Sequence, residues 1–114
     1  MDKELQKWYE NIKDINEITE TASNINSKEF YIFQVRWYNK KSFIIISFVE
    51  LNDYYKDKGY FTLSIKNFLR NNPQIKGFCL ESVMDDDLYN KLIDLGWKFP
   101  RVFNGNLYMF NKKK

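Results

Sequence analysis

The chain's 114 residues are the length of one compact domain, and its 44% hydrophobic and 18% aromatic residues exclude an intrinsically disordered chain. A net charge of +3 admits an anionic ligand without demanding nucleic acid. One cysteine excludes an intrachain disulfide, and the absence of histidine removes the commonest general base and metal ligand.

From the N-terminus, Lys3–Thr19 predicts an amphipathic helix, with Leu5, Trp8, Tyr9, Ile12 and Ile15 at helical spacing and Glu and Lys opposite. No apolar signal core precedes it. Thr21–Ser27 reads as a polar connector. Glu29–Tyr38 alternates, which predicts a half-buried strand with Tyr31, Phe33, Val35 and Trp37 on one face and Gln34 and Arg36 on the other. Asn39-Lys40-Lys41 fits a hairpin turn. The nearly continuous apolar run Phe43–Leu51 predicts a strand covered on both faces, far too short to cross a bilayer. A soluble cytoplasmic protein with no membrane partner is therefore expected.

Phe61, Ile65, Phe68 and Leu69 predict a helix ending near Asn71-Asn72-Pro73. Gly77–Val83 reads as another short strand, in which Cys79 serves as a small hydrophobe. Asp85, Asp86 and Asp87 open a helix carrying Leu88, Leu92 and Leu95, where carboxylates suit the helix dipole better than a metal. Gly96 ends it, and Val102–Phe110 predicts a final hairpin turning at Asn104-Gly105. The whole chain, 1–114, reads as a single α+β (α/β/α) domain. Its sheet is predicted to be mixed and mostly antiparallel, around a central parallel β-α-β crossover.

The segment SFIIISFVELNDYYKDKGYFTLS, Ser42–Ser64, points most directly at a ligand. A buried strand runs into a polar turn at Gly59, and a helix then begins. The first-turn N–H groups of such a helix are natural partners for phosphate oxygens. In this arrangement the chain resembles the GNAT acyl-CoA N-acyltransferase superfamily. Lys56-Asp57-Lys58-Gly59-Tyr60-Phe61 stands where that family has its pyrophosphate loop, Arg/Gln-x-x-Gly-x-Gly/Ala, with Phe61 replacing the second small residue. Leu92-Ile93-Asp94-Leu95-Gly96-Trp97 stands where the family has a helix ending in Gly-Phe. The likeness spans Glu29–Phe110.

The resemblance implies an N-acetyltransferase that moves an acetyl group from acetyl-CoA to an amine, such as a protein lysine, without a metal. It implies coenzyme contacts at Phe48, Val49, Leu51, Lys56, Lys58, Gly59, Tyr60, Phe61 and Thr62, with the acetyl group near Glu50 and Glu81. Glu50 is then the candidate base. The family's helix tyrosine is Leu92 here, so Tyr89, one turn earlier, or Tyr108 takes its place as candidate acid. The N-terminal half is shorter than the family's, truncating the fold. That leaves three alternatives: a macromolecular acceptor, completion by a second copy as a homodimer, or loss of catalysis. In the last case the domain is a GNAT-like protein-binding module or inhibitor, such as a phage or other mobile element would encode. Nucleic-acid binding through Lys40, Lys41, Lys56 and Lys58 ranks below both, because the basic residues are scattered.

Overall fold

The computed structural model describes residues 2–14, 23–38, 41–55, 59–81, 83, 86–99 and 106–111. Helix α1 (Asp2–Ile12) is followed by strands β1 (Ser23–Asn24), β2 (Phe30–Tyr38) and β3 (Phe43–Leu51). After a short 3-10 turn at Asp53–Tyr55 come α2 (Tyr60–Asn71), β4 (Gly77–Leu80), α3 (Asp86–Asp94) and β5 (Leu107–Phe110). The five strands form one sheet in the order β1-β2-β3-β4-β5. Only β3 and β4 are parallel, with α2 as the crossover between them, so the mixed and mostly antiparallel sheet is as the sequence predicts.

Cross-strand partners share a face, which makes the core readable from the register. Val35 lies opposite Ile46, Trp37 opposite Ile44, Ile44 beside Phe78, and Phe78 opposite Met109. All are buried. Against them pack Leu5 and Tyr9 of α1, Phe61, Ile65, Phe68 and Leu69 of α2, and Leu92 of α3 with Trp97 behind it. All three helices bury their apolar residues in this one cluster. Among the described residues the arrangement therefore has two layers, where the sequence predicts α/β/α.

The other face of the sheet carries Arg36, Phe43, Ile45, Cys79, Tyr108 and Phe110. Phe43, Tyr108 and Phe110 pack ring against ring, with centroids 5.9–6.3 Å apart. Arg36 donates to Ser47 Oγ and pairs with Glu81. Cys79 is buried beneath them; loss of solvation pushes its thiol pKa up to about 11, although the Tyr108 hydroxyl hydrogen-bonded to it acts in the other direction.

Five expectations need correction. α1 stops at Ile12, with Lys13 and Asp14 in a turn, where the spacing predicts a helix to Thr19. β3 is not covered on both faces: Ile44 and Ile46 are buried, a bulge at Ser47 reverses the alternation, and Phe48 and Glu50 beyond it lie on the open face and are exposed. Tyr31 is exposed rather than aligned with Phe33, since the β2–β3 register slips at that residue and turns it out. The predicted connector contains β1, whose Asn24 accepts from the Phe33 N–H while the next residue, Ile25, is buried and donates to the Phe33 carbonyl. β4 stops at Leu80 rather than Val83. The distal part of the first helix (15–19), the turn residues Asn39 and Lys40, and the predicted turn Asn104-Gly105 lie outside the described residues.

The end of α2 shows what holds the layers in register. Asn72 donates to the Phe68 carbonyl and exchanges amide hydrogen bonds with Gln6 of α1. Asn111, just past β5, donates from Nδ2 to the carbonyls of Leu69, Asn72 and Ile75 at 2.8–3.1 Å. The Leu69 and Asn72 carbonyls also accept the backbone N–H groups of Asn72 and Ile75, so the two protons of Nδ2 are shared among three acceptors and tie the strand end to the turn after α2. Asn111→Ala is expected to cost about 2 kcal/mol, because two N–H donors that join β5 to the end of α2 are lost; urea denaturation measures it.

Candidate functional site

β3 and β4 pair from Phe43 beside Gly77 to Ile46 beside Leu80, and a last hydrogen bond joins the Glu81 N–H to the Ile46 carbonyl at 3.0 Å. β3 continues to Leu51 with β2 as partner on one side only. Among the described residues no strand pairs with Ser47–Leu51 on the β4 side. A cleft of about 540 Å³ occupies this place, a size common for small-molecule sites.

Its walls come from three parts of the chain. Val49, Glu50 and Leu51 provide the free stretch of β3, with Leu80 at the end of β4. Tyr55 and Gly59–Thr62 provide the entry to α2. Asp87, Leu88, Lys91, Leu92 and Leu95 provide one side of α3. Gly59 is the N-cap of α2, with φ 68° and ψ 9°, a left-handed conformation that costs other residues roughly 1–2 kcal/mol. First-turn amides of an α-helix have no intrahelical acceptor and carry the positive end of its dipole. Here that turn is part of the cleft wall.

The first turn of α2 is held from two sides. The Thr62 hydroxyl accepts from the Trp97 indole N–H at 2.9 Å, and Phe61 stacks on Trp97 with centroids 5.9 Å apart. The Tyr60 hydroxyl donates to the Glu29 carboxylate at 3.1 Å, and Ser27 Oγ donates to the other oxygen. Glu29 is buried, which acts to raise its pKa. Its own backbone N–H, the positive charge of the chain's amino terminus and the Tyr60 hydroxyl together outweigh burial and leave the carboxyl below its ordinary value. The cleft's entry is therefore anchored by an ionised carboxylate at neutral pH.

Of the residues picked from the sequence, Val49, Glu50, Leu51, Gly59, Tyr60, Phe61 and Thr62 come together on the cleft. Phe61 and Thr62 do so while their side chains are buried. Phe48 does not line it; its ring is exposed. Lys56 and Lys58 lie outside the described residues. Glu50 stands exposed at the rim. Tyr89 packs against the hydrophobic core and is not among the lining residues, nor are Tyr108 and Glu81. On α3 the sequence reading pointed to Tyr89 and the Leu92 position, and it did not include Asp87, Leu88, Lys91 or Leu95. The signal of this wall in the sequence is a surplus of leucine: Leu92 is buried, whereas Leu88 and Leu95 are exposed.

Among the described residues no group of three His, Cys, Asp or Glu side chains is placed to hold a metal ion, and no helix is long and apolar enough to cross a membrane. No protein-family model, curated protein or solved structure matches the chain.

Proposed function

We propose that this domain is a GNAT-like N-acyltransferase that binds the coenzyme A thioester of an acyl group, acetyl-CoA being the simplest donor, and transfers the acyl group to an amine. The observation that carries the reading is the position of the cleft. It lies where β3 outruns β4, and the first turn of α2 forms one of its walls. The helix start suits the anionic diphosphate. The unpaired edge of β3 suits the extended, amide-bearing arm, which can join a strand edge as an added strand does.

In the reaction the amine nitrogen attacks the thioester carbonyl carbon, the C–S bond breaks, and an amide forms. The amine proton leaves to a base, and the departing thiolate takes up a proton to become the coenzyme thiol. Glu50, the carboxylate of β3 at the cleft rim, is the residue we assign to accept the amine proton through water. Much of the rate then comes from holding the two reactants together.

Calorimetric titration with acetyl-CoA tests this. A saturable heat is expected, with thermal stabilisation of about 2.7 kcal/mol at a hundredfold excess over Kd. Gly59→Val places a branched residue at φ 68°, where its Cβ meets no atom within 4 Å, so strain rather than collision results. The variant should fold and lose most of the binding heat. Absence of heat in the natural chain would remove the enzyme reading. The second reading, a non-catalytic binding module, would then stand on the open sheet face, where Phe48 and Phe110 are each about half exposed.

A further inference from the structure

Resting on the coenzyme-thioester reading above, we infer that the acyl group carried into this cleft is a medium-length aliphatic chain rather than acetyl, lying along the leucine stripe of α3. Leu88, Leu92 and Leu95 are spaced by four and three residues, so they follow one side of the helix, and all three line the cleft. Leu92 is 4% exposed and belongs to the core, but Leu88 and Leu95 are 47% and 40% exposed. Neither is needed to close the hydrophobic cluster. Across the cleft stand Val49 and Leu51, both only partly covered. Two apolar walls facing one concavity leave a surface that gains from being covered. An acetyl methyl is too small to cover it.

The positive end of the α2 dipole lies at one wall of the cleft, and Glu50, Asp87 and Lys91 are exposed on the cleft's lining. An amphiphilic ligand would set its anionic carrier toward the α2 start and its chain along Leu88, Leu92 and Leu95, between the charged rim residues. Leu88 to Leu95 spans ~10 Å along the helix, about the length of an extended eight-carbon chain. Every methylene buried there strengthens binding roughly fourfold.

Titration of the whole chain with CoA, acetyl-CoA, octanoyl-CoA and free octanoate tests the inference. Octanoyl-CoA is expected to bind roughly tenfold or more tightly than acetyl-CoA, with free octanoate far weaker than either. The double variant L88N/L95N changes two exposed positions, and circular dichroism should report an unchanged fold. It is expected to lose the preference for octanoyl-CoA over acetyl-CoA. Equal affinity for acetyl-CoA and octanoyl-CoA would overturn the inference and leave the coenzyme reading intact. Octanoate binding as tightly as octanoyl-CoA, or a preference that survives L88N/L95N, would also overturn it. Failure of CoA and both thioesters to bind would overturn the coenzyme reading and the inference together.

Discussion

Gly77→Ala is expected to cost about 3 kcal/mol and to lower the melting temperature by roughly 10–20 °C. A Cβ built on Gly77 would stand 2.4 Å from the Met109 carbonyl oxygen and 2.8 Å from the Phe43 ring. The ring can turn aside. The carbonyl cannot, because Met109 belongs to β5, whose four residues pair with β4 from Gly77 opposite Phe110 to Leu80 opposite Leu107. Relief therefore requires β5 to shift relative to β4. That shift would draw Asn111 away from the helix carbonyls it caps and disturb the Phe43–Tyr108–Phe110 ring cluster. The parallel pairing of β3 and β4 also begins at Gly77, so the damage reaches the frame of the cleft. Thermal and urea denaturation measure the effect. A change of less than about 3 °C would mean that the sheet accommodates a methyl group where the backbone approach leaves no room for one.

Such contacts mark the boundary of what periodicity reveals. The crossover β3–α2–β4 was legible because each element carries its own signal: an apolar run, then helical spacing, then a second apolar run. The helix stop at Gly96 was legible too. Gly96 has φ 104°, and the Trp97 N–H reaches the Leu92 carbonyl as a glycine-capped helix end requires. Tyr31 was misplaced because alternation assumes an unbroken register, and a bulge leaves no local mark. β1 was missed because two polar residues are a strand only through their pairing with Gln34 and Val35. β3 was taken as covered on both faces because an apolar run records hydrophobicity, not which side the helices occupy.

The site divides along the same line. Gly59 and the residues beside it could be read from the chain, since a turn followed by a helix is a local feature. For α3 the resemblance offered Tyr89, whereas the wall consists of Asp87, Leu88, Lys91, Leu92 and Leu95. It reaches the cleft only because Leu92 and Trp97 are packed into the core beside Phe61, and nothing near residue 88 or 95 specifies that neighbour. Glu50 and Tyr89 were the candidate base and acid. Strand register puts the first at the rim, and packing against the core keeps the second off the lining.

Trp97→Ala should cost about 4 kcal/mol, the middle of the usual range for emptying a buried aromatic site. Trp97 is 1% exposed and performs two separable tasks. Its ring stacks on Phe61, with an interplanar angle of 6°, and its indole N–H donates to Thr62. Trp97→Phe keeps an aromatic surface for Phe61 but removes the donor and some volume, and a loss of about 2 kcal/mol follows. Thr62→Val removes the acceptor at nearly constant shape and leaves the indole N–H buried without it, again about 2 kcal/mol. If the hydrogen bond is what the two losses share, the double variant Trp97→Phe/Thr62→Val should fall short of their sum by about 1 kcal/mol or more. Simple additivity in urea denaturation would mean that packing alone links the two residues. The distinction matters for the cleft, because Thr62 and Phe61 form part of its wall. A bond from Trp97 fixes the first turn of α2, and with it the direction in which the turn's amides point. The Gly-Trp end of α3 and the glycine turn before α2, distant in the chain, would then act on the cleft as one unit.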